Sequence, residues 1–143
     1  MNLLITGSTG YLGGRLTHYL AREPHYSLFL GSRTQRRPFS WCNQAEIVEI
    51  KWDSDASLEE ASLGIDSIVH LAGMNAQKCA VDPAAAFEAN AVSTARLVQA
   101  AVKQGLRRFI HLSTAHVYDA PLSGEITEET YLTNLHPYAT SHR

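Results

Sequence analysis

Residues 2–13 constrain this chain more than any other stretch. A short apolar run, Asn2-Leu3-Leu4-Ile5-Thr6, passes directly into Gly7-Ser8-Thr9-Gly10-Tyr11-Leu12-Gly13, and a helical pattern follows with Leu12, Leu16 and Leu20 on one face. That order reads as a buried strand, a tight turn and a helix. Glycines at a spacing of three let the backbone turn sharply, let another group approach the amides, and let the helix lie close to the strand. The unpaired N–H groups at the helix start, with the positive end of its dipole, then form a seat for a pyrophosphate. Taken alone, such glycines also fit a plain strand-to-helix turn; their position after the first strand favours the phosphate seat.

The rest of the chain repeats the alternation. Strands are expected at 27–30, 47–52, 65–71 and 108–112. Pro24 closes the first helix, and residues 31–40 read as a polar, basic loop. A short helix is expected from Ser57, where Ser57-Leu58-Glu59-Glu60 has capping-box spacing. A long helix should open at Pro83 and end near Gln104, with Gly105 as its left-handed cap. Residues 119–136 read as a long loop, and a last helix begins near Pro137 or Tyr138. This is an α/β pattern: a doubly wound parallel sheet (Rossmann fold) of about five strands with helices on both faces. In such sheets ligands sit at the carboxyl ends of the strands. Gly7, Arg33, Asp53, Gly73 and Thr114 each fall just after an expected strand, so they should converge on one edge.

Composition narrows the classes. The 143 residues are 45% hydrophobic and 18% charged, enough for one domain with a proper core. A net charge of −2 gives no global attraction to nucleic acid or anionic lipid, so phosphate recognition must be local. No apolar run approaches the roughly 20 residues that span a bilayer. No basic leader precedes Asn2, and Cys42 and Cys79 form no CxxC pair. The expectation is a cytoplasmic protein with reduced thiols and no membrane or nucleic-acid partner. The seven histidines show no HxxxH pair and no Cys/His cluster at zinc spacing, so no metal site is expected. Nor is there a G-x-S-x-G elbow for a hydrolase.

Several motifs together resemble the extended short-chain dehydrogenase/reductases, the group of nucleotide-sugar epimerases and dehydratases. Thr6-Gly7-Ser8-Thr9-Gly10-Tyr11-Leu12-Gly13 is similar to their TGxxGxxG fingerprint. Asp53, His70-Leu71-Ala72-Gly73, Asn90, Ser113-Thr114-Ala115-His116-Val117-Tyr118 and Pro137-Tyr138 follow in the family's order. The resemblance covers essentially the whole chain. It implies an NAD(P)-dependent oxidoreductase, epimerase or dehydratase acting by hydride transfer at a hydroxyl or carbonyl carbon of a nucleotide sugar. It also implies that residues 1–143 are the NAD(P)-binding Rossmann domain, ending before a C-terminal substrate domain. By the same resemblance Asp53, with Trp52 before it, takes the adenine amino group. Leu71, Ala72 and Gly73 line the way to the nicotinamide ribose, and Asn90 bridges backbone and active site. Relatives often dimerise through the long helix and the Tyr helix. Ala84, Ala85, Ala86, Ala89 and Ala91 would suit such close packing, so a homodimer is a possible partner.

Two places bear on the chemistry. NAD-binding domains carry an acidic residue about 20 residues beyond the glycines for the ribose 2′-hydroxyl. Here that place holds Gly31-Ser32-Arg33, with Arg36 and Arg37 beyond. A carboxylate would repel a 2′-phosphate, whereas Ser32 and Arg33 can bind one, so NADP is preferred and NAD left open. The bland alternative is a solvated basic loop.

The other place is the reaction centre. The family pattern implies Thr114 as the hydroxyl residue and Tyr138 as the acid/base, with a Lys four residues on that lowers the tyrosine pKa and holds the ribose. Position 142 is His instead. Neutral imidazole can hydrogen-bond a ribose hydroxyl but supplies no steady positive charge near neutral pH. Arg143, one position further round, can contribute charge with poorer alignment. The expectation is therefore an enzyme with Thr114, Tyr138 and His142 at its centre. The alternative is a dinucleotide-binding module with little catalysis.

Overall fold

The computed structural model describes residues 1–119 and 122–143, and the part of the expected long loop at 120 and 121 lies outside them. The described residues form two compact units: 1–72 with 94–112, and 73–93 with 113–143.

The first unit is built on one sheet. Its strands are β1 (Asn2–Thr6), β2 (Ser27–Ser32), β3 (Glu46–Glu49), β4 (Ser67–His70) and β5 (Arg108–His111), all parallel, in the order β3-β2-β1-β4-β5. Parallel neighbours need crossovers, which α1 (Tyr11–Leu20), α2 (Asp55–Ser62) and α5 (Ser93–Lys103) help supply. Side chains alternate across the sheet, so β1 feeds two cores. Leu4 joins Ile50, Leu58, Ala61, Ile68 and Leu97 on one face, where α2 and α5 pack. Leu3 and Ile5 join Leu28 and Leu30 on the other, where Leu16 and Leu20 of α1 cover them. Helices thus occupy both faces, as the doubly wound pattern requires. Leu4 pairs in register with Phe29 on one side and Ile68 on the other, and is fully buried. No helix among the described residues is long and apolar enough to cross a membrane.

The second unit holds α3 (Ala76–Val81), α4 (Pro83–Phe87), a π-helical turn (Glu88–Val92), a 3-10 turn (Ala115–Val117) and α6 (Pro137–Thr140). α6 packs against α3, α4 and the 3-10 turn. Pro83 occupies the first turn of α4, and the Asp82 side chain accepts a hydrogen bond from Ala85 N at 2.9 Å.

Several boundaries differ from those expected. β2 runs on to Ser32, because Gly31 and Ser32 pair with Val48 and Glu49, so the basic loop begins only at Arg33. β3 stops at Glu49 and β4 starts at Ser67; the flanking Ile50 and Ile65 are buried in the core without belonging to strands. α2 begins at Asp55, two residues before the place its sequence suggested. Ser54 is its cap, accepting from Ser57 N at 3.3 Å, and Asp55 adds a negative charge to the first turn. Ser57 Oγ instead accepts from Lys51 N at 3.0 Å. The long helix from Pro83 is not uniform, since residues 88–92 adopt the wider π turn. α3 and the 3-10 turn were not expected at all; each is too short to display a hydrophobic period.

Candidate functional site

The glycine turn has the geometry its spacing suggests. Gly7 adopts φ +69°, and a Cβ there would sit 2.7 Å from Ala72 N and from the Leu71 carbonyl group. Gly10 N donates to Gly7 O at 2.9 Å. A Cβ on Gly13 would collide with the Gly7 carbonyl oxygen, so the helix meets the turn backbone to backbone. Gly10 caps α1 with extended geometry, no side chain caps the helix, and its first turn holds no acidic residue. A ten-residue helix therefore offers its first amides and its positive dipole end to an anion. Tyr11 and Leu12 of that first turn are exposed. Buried Ser8 ties the turn to β2 by donating to Gly31 O at 3.4 Å.

Thr6, the last residue of β1, lies beside the start of the next loop. Its Oγ1 accepts from Leu71 N at 3.2 Å and Ala72 N at 3.3 Å, and stands 2.7 Å from Nδ1 of buried His70. Leu71 also packs on the core. At the end of β2, Ser32 Oγ accepts from Thr34 N at 3.4 Å and Arg33 is exposed. Arg36 lies 4.9 Å over the Phe39 ring, which stacks on Trp41 at 4.7 Å. Asp53 is exposed on a loop held by Arg96, which donates to Trp52 O at 2.8 Å and bridges Asp55 at 2.8 Å. The Trp52 ring is half-buried against the core, 5.7 Å from the ring of His70.

The second unit gathers Gly73, Asn90 and the residues of α6. A Cβ on Gly73 would stand 3.0 Å from Asn90 Oδ1 and 3.8 Å from His142 Cε1. Asn90 is buried in the π turn. Its Oδ1 accepts from Met74 N at 2.6 Å, and its Nδ2 donates to Ser141 Oγ at 3.0 Å. It joins the Met74 backbone to the α6 segment. Cys79 Sγ lies 3.6 Å from Asn90 Nδ2. Tyr138 and His142 meet edge-to-face, with ring centroids 4.7 Å apart. Ser113 Oγ donates to His142 O at 3.1 Å, while Thr114 Oγ1 accepts from His116 N at 3.2 Å and caps the 3-10 turn. Arg143 donates to the Asn134 carbonyl. Met74, Cys79 and Ser141 had no sequence signal of their own, because each acts through hydrogen bonds to Asn90, two for the Met74 backbone and one each for Cys79 and Ser141.

A parallel five-stranded α/β sheet with an uncapped glycine turn after its central strand defines the doubly wound class of nucleotide-binding folds. The particular family follows from the match to known proteins: residues 3–143 fit the NAD dependent epimerase/dehydratase family, and the chain belongs to it. It is 28% identical to a dTDP-glucose 4,6-dehydratase of Streptomyces antibioticus, over 99% of this chain and 45% of that protein. It is 31% identical to a UDP-glucose 4-epimerase of Mycolicibacterium smegmatis, over 97% of this chain and 47% of that protein. Among solved structures, the dTDP-glucose 4,6-dehydratase DesIV of Streptomyces venezuelae, with NAD and TYD bound, has a TM-score of 0.83 at 27% identity. That match covers 99% of this chain and 48% of DesIV. The UDP-Glc/GlcNAc 4-epimerase of Campylobacter jejuni shares the fold at 20% identity, with a TM-score of 0.85 over 99% of this chain and 45% of that structure. The chain thus spans a little under half the length of the relatives it matches.

Proposed function

We propose that this chain binds a nicotinamide dinucleotide and serves as the cofactor-binding part of a longer enzyme that oxidises, epimerises or dehydrates a nucleotide sugar. The observation that carries this reading is the α1 terminus: no side chain caps it, and neither Gly7 nor Gly13 has room for a Cβ. The residues present fit the group. The α1 amides hold the diphosphate, Asp53 takes the adenine amino group, and Gly73 admits close approach beside Asn90. When bound, the nicotinamide accepts or returns a hydride.

This chain's own part is proton transfer and positioning. The Tyr138 hydroxyl moves the proton of the reacting substrate oxygen, and the Thr114 hydroxyl hydrogen-bonds the same oxygen. The His142 imidazole donates to or accepts from a ribose hydroxyl. Phenol ionises near pH 10, so without a lysine the tyrosine has less help in becoming a base. That substitution favours a second reading, binding with little turnover, and the two readings separate by experiment. Full-length protein is mixed with NADPH and sugar-nucleotide ketones while the reduced nicotinamide absorbance is followed. Turnover supports the enzyme; binding without turnover supports the module.

NADP is the preferred cofactor in this reading, because Ser32 and Arg33 follow one another where NAD enzymes carry a carboxylate. Arg36 lies over the Phe39 ring, which leaves Arg33, with Arg37 beyond it, for a 2′-phosphate. Titrating both reduced cofactors by fluorescence tests it: tighter NADH binding overturns the preference, and failure to bind either overturns the proposal. The reading includes a cytoplasmic protein, consistent with two buried free thiols at Cys42 and Cys79. It also includes a homodimer through the alanine-rich segment 83–92, where Phe87 and Val92 are exposed; sedimentation of the full-length protein tests this.

A further inference from the structure

The hydrogen bonds around Thr6 determine where the proton of His70 sits. A threonine oxygen has one hydrogen and two lone pairs. Both lone pairs of Thr6 Oγ1 accept N–H groups, from Ala72 and from Leu71, whose N–H is shared with the Thr6 carbonyl oxygen at 3.3 Å, and neither donor can reverse its role. The hydroxyl hydrogen therefore points to His70 Nδ1, 2.7 Å away. Nδ1 is the acceptor, so the neutral ring carries its proton on Nε2 and donates it to Thr94 Oγ1 at 3.0 Å.

We propose that His70 is a positioning residue. As a neutral Nε2–H imidazole it takes the Thr6 hydroxyl hydrogen, turns both lone pairs of that oxygen toward the Leu71 and Ala72 amides, and so holds their peptide against Gly7. The consequence for binding rests on the dinucleotide reading above; the consequence for the backbone does not. The close approach of Gly7 to Ala72 N and Leu71 C, 2.7 Å from the place of a Cβ, leaves the phosphate turn little freedom to move apart from this peptide. Trp52 at 5.7 Å, Phe109 at 5.8 Å and His111 at 5.5 Å surround the ring, and Arg96 reaches the Trp52 carbonyl. A second proton on His70 would place an N–H against an oxygen with no lone pair left, so Thr6 Oγ1 would have to release an amide: Leu71 N–H keeps the Thr6 carbonyl, and Ala72 N–H loses its acceptor. Acid should therefore loosen this peptide first.

The test uses full-length protein and three readouts. Nitrogen NMR at pH 7.5 should show His70 with a pyridine-like Nδ1 and a pyrrole-like Nε2; the reverse tautomer overturns the proposal. Hydrogen exchange at Ala72 is measured relative to Ile68 on the same strand pair, which cancels global loss of stability. His70→Leu should raise that ratio about tenfold, whereas His70→Asn, which returns an acceptor near Nδ1, should keep it within about threefold. Equal ratios in the two variants overturn the proposal. In a His111→Phe background, which removes the neighbouring imidazole, the ratio should rise in acid and stay flat when His70→Asn is added; a flat profile with His70 intact overturns the pH consequence and with it the lone-pair argument. Dinucleotide affinity should fall about tenfold in His70→Leu and little in His70→Asn. Should the wild-type protein bind neither dinucleotide, the cofactor reading falls, and the tautomer and exchange data still decide the role of His70.

Discussion

On the reading proposed above, residue 142 separates an active enzyme from a dinucleotide-binding module. The imidazole of His142 lies edge-on to Tyr138, close enough for a charge there to act on the phenol. The neighbouring Arg143 guanidinium donates to the Asn134 carbonyl. His142→Lys in the full-length enzyme should therefore lower the pH optimum and raise turnover near neutral pH by about tenfold, one pKa unit of phenolate stabilisation. Stopped-flow turnover across pH 6–10 measures it; an unchanged profile would mean that Tyr138 is not the base. The glycines give a second expectation. Gly13→Ala forces a methyl group into the Gly7 carbonyl, and backbone cannot step aside as a side chain can. Stability should drop by about 1–3 kcal/mol in urea denaturation, and dinucleotide binding should disappear. Cys42 is buried, which raises its thiol pKa above the ordinary value, and Cys79 is fully buried. Alkylation of either at pH 7 should await unfolding, as mass spectrometry with and without denaturant would show.

Elements carry the next level, and α2 shows why their ends are harder to read than their existence. Capping-box spacing points to Ser57, yet the cap is Ser54, three residues earlier. Only the structure shows Ser54 accepting from Ser57 N while Ser57 accepts from Lys51 N. Ser54→Ala should destabilise the protein by about 1 kcal/mol in thermal or urea unfolding. A larger loss in helicity from Ser57→Ala would return the cap to Ser57. The strand ends failed to show for a related reason. Ile50 and Ile65 are as buried as strand residues, yet neither belongs to a strand, Ile50 N donating to Ser32 O at 2.7 Å just past the last paired residues, so hydrophobicity alone could not place the boundary. The π turn had no signal either, since its energetic reason lies outside the helix. Asn90 is unfavourable in a regular helix but here meets Met74 and Ser141, partners 16 and 51 residues away in sequence. What the chain did display plainly was the glycine turn, the order of strands and helices, and the positions of Tyr138 and Thr114. Those follow from local chemistry; Asn90's network follows from contacts that only folding creates.

Across the molecule the sheet is a single plate between two cores, and Leu4 stands at its middle with a neighbour strand on either side. Leu4→Ala should lose about 2–5 kcal/mol in urea denaturation, more than any surface change, because neither flanking strand can close the gap. The strand order β3-β2-β1-β4-β5 has a further effect, on the timing of assembly. β1 is synthesised before the other four strands and ends at the centre, yet one of its two edges has no mate until Ser67–His70 has been synthesised. Until then an apolar strand carries a bare row of N–H and C=O groups, a template for joining another nascent chain. Stalled chains that end before residue 67 should be degraded readily by protease and should clump at high concentration, and those carrying β4 should become resistant in one step.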